Sequence, residues 1–358
     1  MSQETNTNSE FDKSKIYENL EKIAQPKDYQ GKIPWIVQQQ IADTNGIHYK
    51  QLKGKLDEYP VYELPVNPVK QGLMLDIGCG WGRWLVAGAN KGYLPIGIDI
   101  RVQFCKAARN TLKDHGHSGY TVVADLQNLP FRKDVFDLVW SFSVIQHTHK
   151  TRLMNCLGHI HRILKPGSFT KLEFPNKKGI RNRLGPVKSE RNVRDRDKFD
   201  SWCVRYYSPK EYRSFFDKIF GNYRDEIHSF LGIGVLKEDL KYLSGKNKLQ
   251  VLLSLALTQI ARIITPLKYW ADSLYYIAEK EDKERDFDSI KAVERFMEAH
   301  RENPTNNMNL IHLLVCPKTG GALTWDEENS RLVSIEGACY YEVSEGVPML
   351  IEGEGKPL

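Results

Sequence analysis

Three carboxylates and a glycine-rich turn are the residues in this sequence with the types and spacing to do chemistry. Asp76 lies two residues before Gly78 in the stretch Met74 to Trp84, MLDIGCGWGRW. Gly78, Gly80 and Gly82 occupy every second position there, with Cys79 between the first two. Leu73, Met74 and Leu75 lead in as an apolar run, and Val86, Ala87 and Ala89 follow in a helical pattern. A strand, a glycine turn and a helix let a ligand come close to the backbone. A dinucleotide site would place pyrophosphate on the N–H groups of that turn. A carboxylate at position 76 suits a ligand with positive charge there. Asp99 ends the next strand-like run, Ile96 to Ile100, about 20 residues beyond the glycines, where an acid can hold both hydroxyls of a ribose. Asp125, followed by Leu126, ends the run Tyr120 to Ala124.

The elements that must position these groups alternate between strand and helix. Strands are predicted near 73–77, 95–99, 120–124, 136–141 and 168–174, and helices near 83–91, 102–114 and 150–164. Such alternation makes a parallel α/β sheet, with ligands at the carboxyl ends of its strands. Gly78, Asp99, Asp125 and Ser141 all fall at predicted strand ends.

From roughly Leu73 to Pro175 the chain resembles the class I S-adenosylmethionine (SAM)-dependent methyltransferases of the type 11-like kind. LDIGCGWG matches their first motif, GIDI the ribose acid and VVADLQNLPF the adenine strand. FDLVWSFSVIQH matches the fourth strand and its loop, and LKPGS the turn before the fifth. The resemblance implies a doubly wound, seven-stranded Rossmann-like sheet and SAM as cofactor. SAM carries an ammonium and a sulfonium and no phosphate, in keeping with Asp76. Asp76, Gly78, Cys79 and Gly80 are then expected at its methionine part, and Asp99 and Ile100 at the ribose. Asp125 and Leu126 are expected at the adenine, and Ser141 beside the cofactor. His147 and His149 follow the fourth strand. An imidazole there can act as general base or contact substrate, and His147 is the candidate catalytic residue. The other reading is a polar helix start with solvated histidines.

Residues 1–15, rich in Ser, Asn, Thr and Glu, read as a disordered tail. Residues 16–68 read as a helical arm broken at Pro26 and Pro34, either capping the cofactor, as the resemblance implies, or packed on the sheet. The methyltransferase domain is expected over 69–280, a charged linker over 281–307, with Lys280 to Ser289 alternatively a solvated helix face, and a small β module over 308–358. From Lys177 to Lys198 there are nine Lys or Arg and three Asp or Glu, a balance of +6 that equals the net charge of the whole chain. Arg181, Arg183 and Arg205 are candidate clamps for an anionic substrate, with Tyr206 as aromatic surface beside them; a solvated loop is the other reading. The apolar run VLLSLALTQIARIITPL is broken by Gln259 and Arg262 and stopped by Pro266. It reads as a lid over a lipid-like acceptor, a segment lying on a membrane surface, or a core helix, and is too short to span a bilayer.

The tail, His312 to Ile351, resembles the small zinc-ribbon-like methyltransferase activator family through Cys316-Pro317 and Gly346-Val347-Pro348. Thr319 stands where that family has the second cysteine of its first pair, and Cys339 is the remnant of the second pair. Two cysteines do not make a four-ligand zinc site, so a structural module without metal is expected. The six cysteines are scattered, and the N-terminus lacks an apolar signal core. A cytoplasmic protein is expected, with a peripheral membrane position as the alternative.

These features point to methyl transfer from SAM to a small-molecule, lipid or glycan-type acceptor. An enzyme acting on RNA or a translation protein is the alternative, supported by the basic loop and the activator-like tail. Against it, the fourth strand ends in SFSVIQH, without an N-P-P-Y-type loop. A non-catalytic SAM-binding scaffold is the third reading.

Overall fold

The computed structural model describes residues 25–184, 204–232, 234 and 236–358. The expected tail at 1–15, the start of the arm and most of the basic run lie outside the described residues. Five parallel strands make the centre: β1 (Gly72–Ile77), β2 (Tyr93–Asp99), β3 (Tyr120–Ala124), β4 (Phe136–Ser141) and β5 (Leu164–Pro175). Two antiparallel strands, β6 (Tyr223–Ser229) and β7 (Ser273–Glu279), complete the order β6-β7-β5-β4-β1-β2-β3. Residues of β1 and β3 are buried throughout, which is why both read as continuous apolar runs. The seven-stranded α/β sheet is the one the sequence leads to.

Eight helices flank or follow the sheet among the described residues: α1 (Trp35–Thr44), α2 (Arg83–Ala89), α3 (Val102–Asp114), α4 (Lys150–Ile163), α5 (Ile180–Leu184), α6 (Pro209–Ile219), α7 (Gly245–Ile263) and α8 (Phe287–Glu302). Local chemistry starts several of them. The imidazole of His149 accepts the N–H of Thr151 at α4, and Ser208 with Glu211 forms a capping box at α6. β5 begins four residues before its predicted start at 168, running through Pro166 and Gly167. Its pairing with β4 shifts register between Phe136 and Leu138, and the positive φ of Gly167 accommodates the bend.

The C-terminal region differs most from expectation. The stretch read as a linker contains α8, whose first turn is capped by the Asp286 carboxylate accepting the Ser289 N–H at 3.1 Å. The tail strands β8 (Thr324–Asp326), β9 (Arg331–Ser334), β10 (Cys339–Ser344), β11 (Val347–Leu350) and β12 (Lys356–Pro357) do not stand apart. β11 pairs in parallel with β3, Met349 opposite Val123 and Leu350 opposite Ala124, so the sheet continues into the tail. Leu310, Leu314, Cys316 and Tyr341 join the same apolar cluster as β1 and β3. Cys316 and Cys339 are both buried, their thiols 3.4 and 3.6 Å from the Tyr341 hydroxyl.

Asn307 makes the junction. Its side-chain amide donates to the Thr121 carbonyl at 2.8 Å and the Gly346 carbonyl at 2.9 Å, and its oxygen accepts the Thr121 N–H at 2.9 Å. The side chain thus pairs with the edge of β3 where no strand does. Asn307→Ala should cost about 2–3 kcal/mol by leaving buried backbone groups unpaired. The check is urea unfolding, where the midpoint should fall with the slope unchanged.

Candidate active site

The strand order reverses between β1 and β4, and a cavity of about 700 Å³ opens at the carboxyl ends of the strands there. Its floor is the turn between β1 and α2. Gly78 and Gly82 have φ of 75° and 94°. A Cβ on Gly78 would lie 2.2 Å from Val144, and one on Gly82 2.9 Å from the Ala108 backbone. Glycine is therefore required at both by conformation and by space. Both the Gly78 and Cys79 N–H groups donate to the Ile98 carbonyl, which fixes the turn to the end of β2. A Cβ on Gly80 would meet nothing within 4 Å, so the turn faces open space at that position.

The sequence-predicted residues fall into two groups. Gly78, Cys79, Gly80, Asp99, Ile100, Asp125, Leu126 and His147 line the cavity. Asp76 and Ser141 lie behind it, both fully buried. Ser141 Oγ donates to the Ile77 carbonyl at 3.3 Å and ties the ends of β4 and β1 together. Both carboxylate oxygens of Asp76 are buried without a hydrogen-bond partner. Desolvation pushes this carboxyl up to about 8; the charge of Arg83 opposes the shift and that of Asp99 adds to it. An acid left so is matched to a cation brought in from outside.

Asp99 accepts the Gly80 N–H at 3.3 Å and the Arg101 N–H at 3.1 Å. Burial pushes it up to about 6, against the opposing charge of Arg101. Asp125 accepts the Gln127 N–H at 3.0 Å, which caps the short turn Leu126–Asn128 at the cavity wall. His149 also reaches the cavity, while its Nδ1 caps α4.

Of the expected clamps, Arg181 and Arg183 sit on α5 and are not among the residues lining the cavity. The Arg181 N–H donates to Asp272 Oδ1 at 2.9 Å, and the Arg183 guanidinium lies over the Trp270 ring at 4.6 Å. Arg205 and Tyr206 are buried. The Arg205 N–H and guanidinium donate to the carbonyls of Gln146 and His147, so this arginine holds the turn that carries His147.

The opposite wall of the cavity has no signal in the sequence. Arg83 is buried at the start of α2, with its guanidinium 4.9 Å from the Phe142 ring and 5.4 Å from those of Tyr62 and Trp84. Ser143, at φ 58°, lines the cavity and is held in that left-handed conformation by Glu173, which accepts both its N–H and its hydroxyl at 2.9 Å. Gln40 lines the cavity with both amide atoms buried and unpartnered, as is Gln146 Oε1. The motif GCGWGRW contains Arg83 and Trp84, but nothing in its spacing says that the Arg83 side chain also turns toward rings from two other segments, Tyr62 and Phe142.

The stretch that carries most of this site is similar to known proteins. Residues 74–167 match the family model described as a methyltransferase domain. Over 98 residues the chain is 34% identical to the tRNA (carboxymethyluridine(34)-5-O)-methyltransferase of Arabidopsis thaliana, a likeness covering 27% of this chain and 22% of that protein. A SAM-dependent methyltransferase structure from Methanosarcina mazei aligns with 15% identity and a TM-score of 0.45, covering 62% of this chain and 100% of that one. The glycine turn, the acids at the strand ends and the family match define a SAM-dependent methyltransferase. Over 49 residues the chain also belongs to the UPF0434 family, being 47% identical to a UPF0434 protein from Acidovorax sp. (strain JS42) over 14% of this chain and 82% of that protein.

The donor set fits SAM: an unpaired buried acid for a cation, an open glycine turn, and a carboxylate at the end of β2. Bound there, SAM supplies an electrophilic methyl group. If Asp99 holds the ribose hydroxyls, Asp99→Ala should weaken SAM binding at least about tenfold. Wild-type affinity should also fall as pH drops through about 6, where this carboxyl gains a proton. Calorimetry of both proteins across pH tests the assignment, and unchanged affinity in a folded variant refutes it.

Asp76 gives a second expectation. From its ordinary value of 3.8 up to about 8, the unfolded chain has released this proton and the folded chain has not. Its contribution to stability therefore falls as pH rises through that window. Without SAM, Asp76→Asn should melt higher than wild type at pH 8 and lose the advantage near pH 4. Equal melting at both ends would show that the carboxyl is not buried uncompensated.

Proposed function

We propose that the acceptor is a small or lipid-like molecule bound at the end of the cavity walled by Phe142, Ser143, Gln146, His147 and Arg83. The supporting observation is the cavity itself. About 700 Å³ is in the range of small-molecule sites, and Ile36, Gln39 and Gln40 of α1 close one side. Its wall is aromatic, with a few polar atoms lacking partners, as a site for an amphipathic ligand requires. Gly78, Cys79 and Gly80 take the methionine part of SAM, Asp99 and Ile100 the ribose, and Asp125 and Leu126 the adenine, while the Asp76 carboxylate acts on the SAM ammonium from behind the turn. Ser141 acts from behind by holding strand ends in register. Arg83 offers a charge to an anionic acceptor from a wall of rings that keeps water away. His147 accepts the proton that the acceptor's nucleophile gives up, and Arg205 positions its turn.

An acceptor in RNA is the competing reading, favoured by the likeness to a protein named as a tRNA methyltransferase. Incubation with labelled SAM and fractionated extract separates the two. Label should enter the lipid or small-molecule fraction with a shallow salt dependence. Label in RNA with a steep salt dependence would overturn the proposal. With the acceptor in hand, Arg83→Met should raise its KM about tenfold or more, with a smaller loss of SAM affinity because the Arg83 charge also favours the ionised Asp76 carboxyl. A loss of SAM affinity larger than the rise in acceptor KM would instead place Arg83 at the cofactor.

A further inference from the structure

The helix α7 is built inside out. Its buried residues are Val251, Ser254, Thr258 and Ala261, which are small or polar. Ser254 Oγ accepts the Phe230 N–H at 3.1 Å, so the inward face is attached partly by hydrogen bonds. The outward face carries Leu249, Leu252, Leu253, Ile260 and Ile263, which are 46 to 85% exposed. Their spacing places them in one stripe along the helix. A helix packed only for the fold has the reverse arrangement, and an exposed apolar stripe of this length marks a contact.

Charge identifies the partner. From Ser244 to Trp270 the sequence has no Asp or Glu and has four basic residues, Lys246, Lys248, Arg262 and Lys268. The first three are exposed along the helix. Past its end, Ile264 and Trp270 are exposed, and the Arg183 guanidinium covers the Trp270 ring. Leucines and isoleucines on one stripe, cations beside it and a tryptophan at the end are the pattern of a helix lying in a lipid interface. No helix of the described residues is long and apolar enough to cross a membrane.

We infer that α7 docks this protein on an anionic membrane surface, with its Leu/Ile stripe among the acyl chains and Lys246, Lys248 and Arg262 at the headgroups. The inference is separate from the identity of the methyl acceptor, because SAM affinity reports on the active site independently.

Flotation of the full chain with vesicles tests it. One set is phosphatidylcholine alone, and the other is phosphatidylcholine mixed with phosphatidylglycerol. The protein should float with the anionic set and be released by salt. Leu252→Ser with Ile260→Ser should lower binding about tenfold or more. Its melting temperature and SAM affinity should match the wild type, since neither side chain is buried. Lys246→Gln, Lys248→Gln and Arg262→Gln together should weaken binding to the anionic vesicles about tenfold or more. Wild-type protein that floats with neither vesicle overturns the inference. So does a wild-type dimer that the double serine variant converts to monomer without any vesicle binding, because the stripe would then meet a second copy of the chain.

Discussion

The structure depends on a left-handed turn between β1 and α2 that only glycine can make. Gly78 is pressed against Val144, and Gly82 against the backbone of α3 at Ala108. Because there is no room for a Cβ, α2 starts close under β4 and α3, and the strand ends meet. The Ile98 carbonyl accepts two N–H groups of the turn, so the end of β2, with Asp99, is held at a fixed distance from it. The loop after β4 then rises over the turn and supplies Phe142, Ser143 and Gln146. A side chain at Gly78 would displace both loops and break up the cavity before any ligand contact was lost.

The roof of the cavity is attached differently. The arm contributes α1 and the segment after it, and buried hydroxyls fix them. Tyr49 and Tyr62 both donate to Asp239 Oδ1, at 2.7 and 3.1 Å. Asn45 donates to the Tyr62 hydroxyl at 2.8 Å and accepts the Trp81 indole N–H at 3.1 Å. Residues from four separate stretches thus share one network, and Trp81 comes from the glycine turn itself. Burial raises the Asp239 carboxyl above its usual range, opposed by the two tyrosines that bond to it. Such a network rigidifies when complete and is costly when broken, so the roof and the floor are coupled.

The tail solves the edge problem of the sheet. β3 would otherwise present unpaired backbone groups. Asn307 pairs with Thr121, and β11 continues the pairing at Val123 and Ala124. Ile351, just past β11, reaches the cavity wall, so the tail touches the site it supports.

The sequence by itself determined the strand–turn–helix core, the parallel α/β class and the acids at the strand ends. Those follow from local rules: apolar runs make buried strands, and carboxyl ends of strands face the ligand. Gly78, Asp99 and Asp125 were legible for that reason. Tertiary structure alone decided which side chains share a wall. Arg83 meets Phe142 and Tyr62 only because separate segments converge, and no local period encodes that meeting. Packing also decided that Asp76 is sealed behind the cavity, that Arg205 anchors a turn, and that Arg181 and Arg183 lie on α5 outside the lining. The apolar run at α7 was legible as a helix. Only its packing shows that the leucines face outward, because periodicity reveals a stripe but not the direction in which it points.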